Sequence, residues 1–336
     1  MESLTGETEG TGGPNHPDGN GSRRASRACS NGRVDLPDGL TCRPLRRGDE
    51  GAVFELIAAE ERHDLGVVEI EEADIVAEWQ RPSVDLAVTT VGVYDGDRLV
   101  GYAELSGHDR GDAAVHPAYR GRGIGTALAG WMQDTARSRG SQVVGMPVPQ
   151  GSPADRLLRA LGYRVRWTSW VLELPEGRRI AEQPLPEGYA VREAVASDHR
   201  AAWTVLEDAF LEWSVREREP FDDFTAEVLD RPGFRPWMLQ VATDPAGEVV
   251  GAVVLHLAGE GRDEGYVDRV AVRADLRGRG LARALLAVVF AEARARGARR
   301  STLNTDSRTG ALGLYERVGM EVTAVWLNRG IDLVPA

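Results

Sequence analysis

The chain has 336 residues and a formal net charge of −12 at pH 7; the length favours two domains, and the charge argues against a protein that binds the phosphate backbone of nucleic acids. All 40 basic residues are arginine, which excludes Schiff-base chemistry and a Walker-type phosphate loop, because both need a lysine. No apolar run is long enough to span a bilayer, so we expect neither a nucleic acid nor a membrane as a partner.

Residues 1–39 are predicted to form a disordered tail. Between Met1 and Arg33 the only branched apolar residue is Leu4, so this segment cannot bury enough surface to offset the entropy of ordering it. The ordered protein is therefore expected to begin near Thr41.

Residue types that bind metals or form disulfides are sparse. Cys29 and Cys42 allow at most one disulfide bond, which favours a reduced, cytoplasmic setting. The six histidines are scattered along the chain, and none falls at a spacing typical of zinc ligands. The sequence therefore predicts no metal site.

Two stretches of the chain are near copies of each other. Residues 119–128 read YRGRGIGTAL and residues 276–285 read LRGRGLARAL, and their arginines Arg120 and Arg277 lie 157 positions apart. A repeat of this length indicates a duplicated domain rather than a solenoid unit.

The predicted organisation follows from this repeat. We expect an N-terminal copy at 40–175, a linker rich in proline and glycine at 176–188, and a C-terminal copy at 189–336. Upstream of the repeat, Leu99 matches Val249 at an offset of only 150. The C-terminal copy therefore has seven more residues between that predicted strand and the arginine motif.

Each copy is predicted to mix strands and helices. In the C-terminal copy, alternating and 3.6-residue apolar patterns predict strands at 237–243, 248–257, 266–272, 301–304 and 321–333, and helices at 281–296 and 309–318. Regular alternation places Asp268, Val270 and Val272 on one face of their strand.

The repeated motif resembles the acyl-CoA signature of the GNAT acetyltransferases. Arg277-x-x-Gly280-x-Ala282 and Arg120-x-x-Gly123-x-Gly125 each stand between a predicted strand and a helix. The resemblance implies an α/β fold with a mixed α+β sheet, two tandem GNAT acyl-CoA N-acyltransferase domains, and acetyl-CoA as co-substrate. A helix N-terminus with flanking glycines is suited to a diphosphate, because its first N–H groups lack partners.

The same resemblance implies which residues contact the coenzyme. In the C-terminal copy these are the residues of the motif, the main chain of the preceding strand, and a polar residue of a later strand: Arg277, Gly278, Arg279, Gly280, Leu281, Ala282, Val270, Ala271, Val272 and Asn304. In the N-terminal copy they are Val115, Arg120, Gly121, Arg122, Gly123, Ile124 and Gly125.

The two copies differ at the position of the family's catalytic tyrosine. At an offset of 157, Tyr315 matches Leu158 and Asn304 matches Pro147. The resemblance implies that Tyr315 protonates or stabilises the departing CoA thiolate, whereas leucine transfers no proton. The alternative is a tyrosine that only fills the core. We therefore expect the chemistry in the C-terminal copy and a degenerate N-terminal copy.

A general base must take a proton from the acceptor ammonium. Asp268 and Glu264, in the strand before the motif, are the candidates. The alternative for both is an ion pair with a neighbouring arginine or a solvated edge. Because neither predicted catalytic core contains a cysteine, direct attack of the amine on the thioester is favoured over a covalent acyl-enzyme.

The expected acceptor is a primary amine of a small molecule. The segment 209–224 is acidic and aromatic, which suits a cationic amine; a helix with a solvated acidic face is the alternative. The tandem copies also resemble the mycothiol synthases, a group that acetylates a cysteinyl amine on a sugar–inositol. A non-catalytic acyl-CoA sensor is a further alternative, and the sequence leaves the oligomeric state open.

Overall fold

A computed structural model describes residues 27–29, 32–34, 36–181, 184–259 and 261–333. The strands are β1 (Arg27–Cys29), β2 (Gly32–Val34), β3 (Thr41–Arg43), β4 (Thr90–Asp95), β5 (Arg98–Ser106), β6 (Arg110–Val115), β7 (Val143–Pro149), β8 (Arg164–Leu174), β9 (Ala190–Glu193), β10 (Leu239–Thr243), β11 (Val249–Ala258), β12 (Glu264–Val272), β13 (Arg300–Asp306) and β14 (Glu321–Asp332). The helices are α1 (Glu50–Asp64), α2 (Glu72–Trp79), α3 (Leu86–Thr89), α4 (Ile124–Ser138), α5 (Pro153–Ala160), α6 (His199–Leu211), α7 (Phe221–Phe224), α8 (Leu281–Ala295) and α9 (Leu312–Arg317).

One mixed sheet runs through both copies. Its strand order is β3-β4-β5-β6-β7-β14-β8-β13-β12-β11-β10-β9. The predicted mixed α/β fold is confirmed, with matching boundaries for most elements. The largest differences are at 309–311, which precede α9 rather than belong to it, and at 237–238, where Pro236–Met238 form a 3₁₀ turn before β10.

The copies exchange their last strands at the centre of this sheet. Strand β14 lies between β7 and β8, and β8 lies between β14 and β13. The β8–β14 pair is antiparallel, with Arg164 opposite Gly330 and Glu173 opposite Glu321. Because Arg164 matches Glu321, and Glu173 matches Gly330, at the offset of 157, this register gives the two copies an approximate twofold relation.

Helices cover both faces of the sheet. Helix α8 begins after Gly280 and carries Leu281, Leu285 and Val289 at i, i+4 spacing, so one stripe packs into the core under β11 and β12. Helix α6 packs on the opposite face, where Val254 of β11 contacts its core. Helices α4 and α1 take the corresponding places in the N-terminal copy.

The packed fold begins earlier than expected. The interpretation of 1–39 as a disordered tail falls mostly on residues outside those described, but β1 and β2 pair as a hairpin. Val34 and Leu36 are buried in the core that includes α4. The predicted start of the ordered protein near Thr41 is therefore too late. The segment poor in apolar residues ends at Arg33, just before Val34 and Leu36.

Two further predictions concern the linker between the copies and the cysteines. The predicted linker 176–188 lies between β8 and β9, and its described residues form neither helix nor strand; its limits stay a prediction. Cys42 is disulfide-bonded, contrary to the expected reduced thiols. Within the described ranges, no helix has the length and apolar character needed to cross a membrane.

Candidate active site

The arginine–glycine motif of the C-terminal copy forms a loop, residues 277–280, that exposes the start of α8. Gly278 and Gly280 have φ values of 76° and 84°, a region that other residues adopt at a cost. Gly280 is the N-cap of α8 and gives no side-chain cap, so the first N–H groups of the helix are free to bind an anion. A Cβ at Gly278 would meet no described atom within 4 Å.

The N-terminal copy keeps the same loop geometry at residues 120–123. Gly121 and Gly123 have φ values of 74° and 94°, and Gly123 is the N-cap of α4. The backbone shape of this loop is therefore common to both copies and does not distinguish them.

The motif arginines have different partners. Arg120 donates to Asp64 at 2.7 Å and to Glu60 at 2.9 Å, and only 21% of its side chain is exposed. Burial raises the pKa of Glu60 to about 7, although Arg120 opposes the shift. Arg277 pairs with Glu212 at 2.7 Å, and both side chains are nearly half exposed. The C-terminal arginine is thus easier to recruit to a ligand.

Strand β12 opens away from its neighbour just before the loop. Its parallel pairing with β13 runs only from Glu264 to Val267, whereas its antiparallel pairing with β11 continues to Val272. The main-chain groups of Val270 and Ala271 on the β13 side are therefore available to a ligand. In the N-terminal copy β6 leaves β7 sooner, with Arg110 and Gly145 as the pair that the register gives.

A cavity of about 2450 Å³ extends between the copies and reaches this fork. Its lining includes residues from both sides of the C-terminal fork: Val270, Ala271, Val272, Arg277, Gly278, Gly280, Leu281, Ala282, Asn304 and Tyr315. Arg279 is exposed and lies outside this lining. The structure thus brings together nearly all the residues predicted for the C-terminal copy.

The coenzyme residues predicted in the N-terminal copy do not line this cavity, although Ala113 and Ala114, which match Val270 and Ala271 at the offset of 157, do. All of 115–125 are described, and none of them lines it. Ile124 is buried in the core, and the Arg122 guanidinium lies 4.7 Å from the ring centroid of Tyr119. A Cβ at Gly125 would come within 2.8 Å of Leu157 Cδ2 and 3.9 Å of Val115. Leu157 therefore packs against the first turn of α4.

Tyr315 lies on α9 and borders the cavity. Its residue is 7% exposed, and burial raises the pKa of its phenol to about 12. Among the described residues its hydroxyl has no hydrogen-bond partner. The matching residue Leu158 is 3% exposed and fills the N-terminal core.

The two predicted carboxylates have different surroundings. Glu264 accepts hydrogen bonds from Arg300 and Thr302, so it is already engaged. Asp268 lies at a β-bulge, where Val254 pairs with Arg269 and the next residue of β11 pairs with Val267.

The bulge changes the predicted face of β12. Val267, rather than Asp268, shares the α8-side core with Val270 and Val272, because one inserted residue shifts the alternation. Asp268 is partly exposed, lines the cavity and accepts a 3.2 Å hydrogen bond from Arg269.

His256 is a residue of this cavity that the sequence motifs do not indicate. It lies on β11 opposite Tyr266, with the ring centroids 5.2 Å apart, and it lines the cavity. Burial lowers its pKa. The hydroxyl of Tyr266 accepts a 3.0 Å hydrogen bond from Asn304, so the predicted coenzyme residue also fixes this tyrosine. A single histidine in an apolar strand carries no sequence signal of function.

His256 also lies close to two carboxylates of the N-terminal copy. A ring nitrogen of His256 and one carboxylate oxygen each of Glu71 and Asp74 lie within 4.8 Å of one another. Arg231 donates to both carboxylates, at 2.6 and 2.8 Å. Since this guanidinium already neutralises the carboxylates, we infer no metal site from the cluster.

The acceptor segment differs from expectation in its contacts. Asp223 is buried and accepts a hydrogen bond from the main chain of Ser83 at 3.2 Å. Trp213 stacks on Arg308, whose guanidinium is 4.6 Å from its ring centroid and 3.7 Å from that of Trp167. The guanidinium of Arg308, rather than an acceptor amine, therefore lies against this aromatic ring of the segment 209–224.

Comparisons with known proteins agree with this geometry. The model of the acetyltransferase (GNAT) family matches residues 52–163 and again 193–320. A mycothiol acetyltransferase of Thermobispora bispora is 32% identical over 289 residues, which cover 81% of this chain and 92% of that protein. One of Salinispora arenicola is 34% identical over 254 residues, covering 71% and 80%.

Solved structures show the same architecture. A GCN5-related N-acetyltransferase from Sphaerobacter thermophilus is 27% identical, with a TM-score of 0.68 over 90% of this chain and 98% of that one. A tandem GNAT protein from the clavulanic acid pathway shares the fold, with 17% identity and a TM-score of 0.65 over 88% and 99%. The chain therefore belongs to the GNAT family of acetyltransferases and carries two copies of the family's domain in tandem.

Proposed function

We propose that the C-terminal copy transfers an acetyl group from acetyl-CoA directly to a primary amine of a small molecule. The main support for the proposal is the extent of the cavity between the two copies. It joins the open edge of β12, the glycine loop 277–280 and Tyr315 in one space. The N-terminal loop lies outside that space.

The residues at this site fit an acyl-CoA. The uncapped N-terminus of α8 and the open space at Gly278 suit a diphosphate, and Arg277 adds charge without a change of protonation. The free main-chain groups of Val270 and Ala271 suit the amides of a pantetheine arm and the thioester carbonyl. When bound, acetyl-CoA supplies the acetyl group as a thioester.

Tyr315 acts as the proton donor to the departing thiolate. Its raised pKa keeps the phenol protonated at neutral pH, and its unpartnered hydroxyl is free to point at a sulfur. Since a phenol is a weaker acid than a thiol, it donates only as negative charge develops on the sulfur. The matching Leu158 performs no such step.

The acceptor is a cationic amine that enters between the copies. Arg269 pairs with Glu219, Glu227 and Asp268, but carboxylates still outnumber arginines along the cavity lining, which favours an ammonium over an anion. Asp268 is the better placed of the two predicted carboxylates to draw in the ammonium, because Glu264 is held by Arg300. The named relatives make a cysteinyl amine of the mycothiol type the first acceptor to test.

The test combines the protein with acetyl-CoA and separate amines: a cysteinyl-glucosaminyl-inositol, glucosamine and spermidine. Mass spectrometry identifies N-acetylated products, and CoA release gives the rate. Acetylation of one amine with saturable kinetics supports the proposal. Tight acetyl-CoA binding without transfer to any amine would favour the acyl-CoA sensor instead.

A further inference from the structure

His256 stands at the closed end of the fork between β12 and β13. Its partner across the strands, Tyr266, directly precedes Val267, the last residue of β12 that pairs with β13. Residues opposite each other on antiparallel strands project to the same face, so the two rings meet over the cavity at 5.2 Å. A thioester laid along the free edge beyond Val267 would therefore end beside this pair.

The imidazole is surrounded by fixed charges from several elements. Asp74 and Glu71, from the start of α2 in the N-terminal copy, approach it together with Arg231 of the C-terminal copy. Asp268, from the bulge of β12, also acts on it. Charged residues of both copies therefore lie around the ring.

Resting on the function proposed above, we propose that His256 is the general base that deprotonates the acceptor ammonium, and that Glu71 and Asp74 of the N-terminal copy position it. The copy that lacks the catalytic tyrosine thereby contributes to the chemistry of the other copy. Glu71 and Asp74 are positioning residues, because they act through His256.

The protons balance in the proposed sequence. His256 accepts one proton from R–NH₃⁺, and the free amine attacks the thioester carbonyl carbon to form the C–N bond. The C–S bond then breaks, and Tyr315 gives its proton to the thiolate. The tyrosinate recovers the second proton from the nitrogen, and the imidazolium of His256 releases its proton to water. The products are the amide, CoA–SH and one H⁺.

The electrostatics of the ring fit this role. Burial, followed by the charge of Arg231, lowers the pKa of His256, while Asp268, Asp74 and Glu71 partly oppose the shift. A neutral imidazole at pH 7 is ready to accept a proton. Glu264, in contrast, is occupied by Arg300 and Thr302.

The experiment measures the pH dependence of kcat/KM for the acceptor amine in wild type and His256→Gln. We expect wild type to lose activity on an acidic limb that lies below the ordinary pKa range of an imidazole, because burial lowers the pKa of His256 and the ring is protonated only there. We expect His256→Gln to be roughly 10²–10⁴-fold slower and to lose that limb, with KM for acetyl-CoA unchanged. His63→Gln, at an exposed histidine of α1, is the control. Imidazole added to His256→Ala should restore part of the rate.

The positioning role has its own test. Asp74→Asn removes a charge that raises the pKa of His256, so the acidic limb should move to lower pH with little loss of rate above it. Glu72→Gln, an exposed neighbour on the same helix, should leave the limb in place.

The outcomes separate this inference from the proposed function. Amine acetylation by wild type together with an unchanged rate and acidic limb in His256→Gln would overturn only the assignment of the base. A wild-type protein that acetylates no amine overturns both, since a base without a reaction has no role. Loss of acetyl-CoA binding in His256→Gln would contradict a base and indicate a structural residue.

Discussion

The two copies share the backbone of the arginine–glycine loop, residues 277–280 and 120–123, but differ in the residues around it. Both loops place their two glycines at positive φ and both lead into an uncapped helix. Around the N-terminal loop, Leu157 packs on the helix start and Arg120 is held by two carboxylates. The motif therefore identifies the fold in both copies, and the residues around it are what distinguish one copy from the other.

The largest effect is expected at the tyrosine that distinguishes the copies. Tyr315→Phe removes the proposed proton donor without changing the buried volume much, so kcat should fall by about 10²–10³-fold. Acetyl-CoA affinity, measured by calorimetry, should stay within about twofold. Tyr163→Phe, a buried tyrosine of the N-terminal copy, is the matched control and should retain activity. Full activity of Tyr315→Phe would remove the basis for assigning the chemistry to this copy.

A pair of glycine variants compares the loops directly. Gly278 and Gly121 have nearly equal φ values, and a Cβ at either would meet no described atom within 4 Å. Alanine should therefore cost each copy a similar strain of about 1–2 kcal/mol. Only Gly278→Ala should weaken acetyl-CoA binding, by roughly tenfold or more, because its methyl group enters the space assigned to the diphosphate.

Equal loss of binding in Gly278→Ala and Gly121→Ala would show that both loops hold the coenzyme. The assignment of acetyl-CoA binding to the C-terminal copy alone would then be wrong.

The motif arginines should divide into a stability effect and a binding effect. Arg120→Gln leaves Glu60 and Asp64 without their main partner, and we expect about 1–3 kcal/mol lower stability in chemical denaturation. Arg277→Gln breaks a half-exposed pair, which contributes at most about 1 kcal/mol. It should instead raise KM for acetyl-CoA. A stability loss that is larger in Arg277→Gln would reverse this distinction.

The effect with the least bearing on activity is a pH dependence of the stability of the N-terminal copy. Burial raises the pKa of Glu104 to about 8, whereas the matching residue at an offset of 150 is Val254. Between its ordinary pKa and about 8, the folded state binds a proton that the unfolded state has lost, so this residue lowers stability as pH rises. Glu104→Gln should gain Tm relative to wild type from pH 5 to 8 and hold that gain above pH 8.

Thermal melts across that range measure the difference. A Tm difference that does not change with pH would mean that Glu104 ionises normally in the folded protein. The amide introduced by Glu104→Gln keeps an oxygen for the 2.9 Å hydrogen bond that Trp79 donates to Glu104, so packing is nearly preserved in this comparison.

The sequence predicted the helices and strands, the duplication and the arginine–glycine loop, because each of these depends on residues that are close together in the chain. Apolar spacing in α8 and the glycines before it are read within about 20 residues. It could not predict the bulge at Asp268, since one extra residue in a strand leaves no compositional mark but shifts every later side chain.

Contacts between segments that are far apart in the chain could also not be predicted from the sequence. His256 gains its charged surroundings from Glu71 and Asp74, which lie on the other copy, and no periodicity links them. The burial of Val34 and Leu36 likewise depends on α4, about 90 residues later in the chain.

Because β8 and β14 are exchanged at the centre of the sheet, each copy depends on the other for folding. Removing the N-terminal copy would take away β8 and leave β13 and β14 without the strand that joins them. Their unpaired edges would invite aggregation. In this arrangement each copy is obligatory for folding whether or not it binds a ligand, so genetic separation of the copies should yield two insoluble halves.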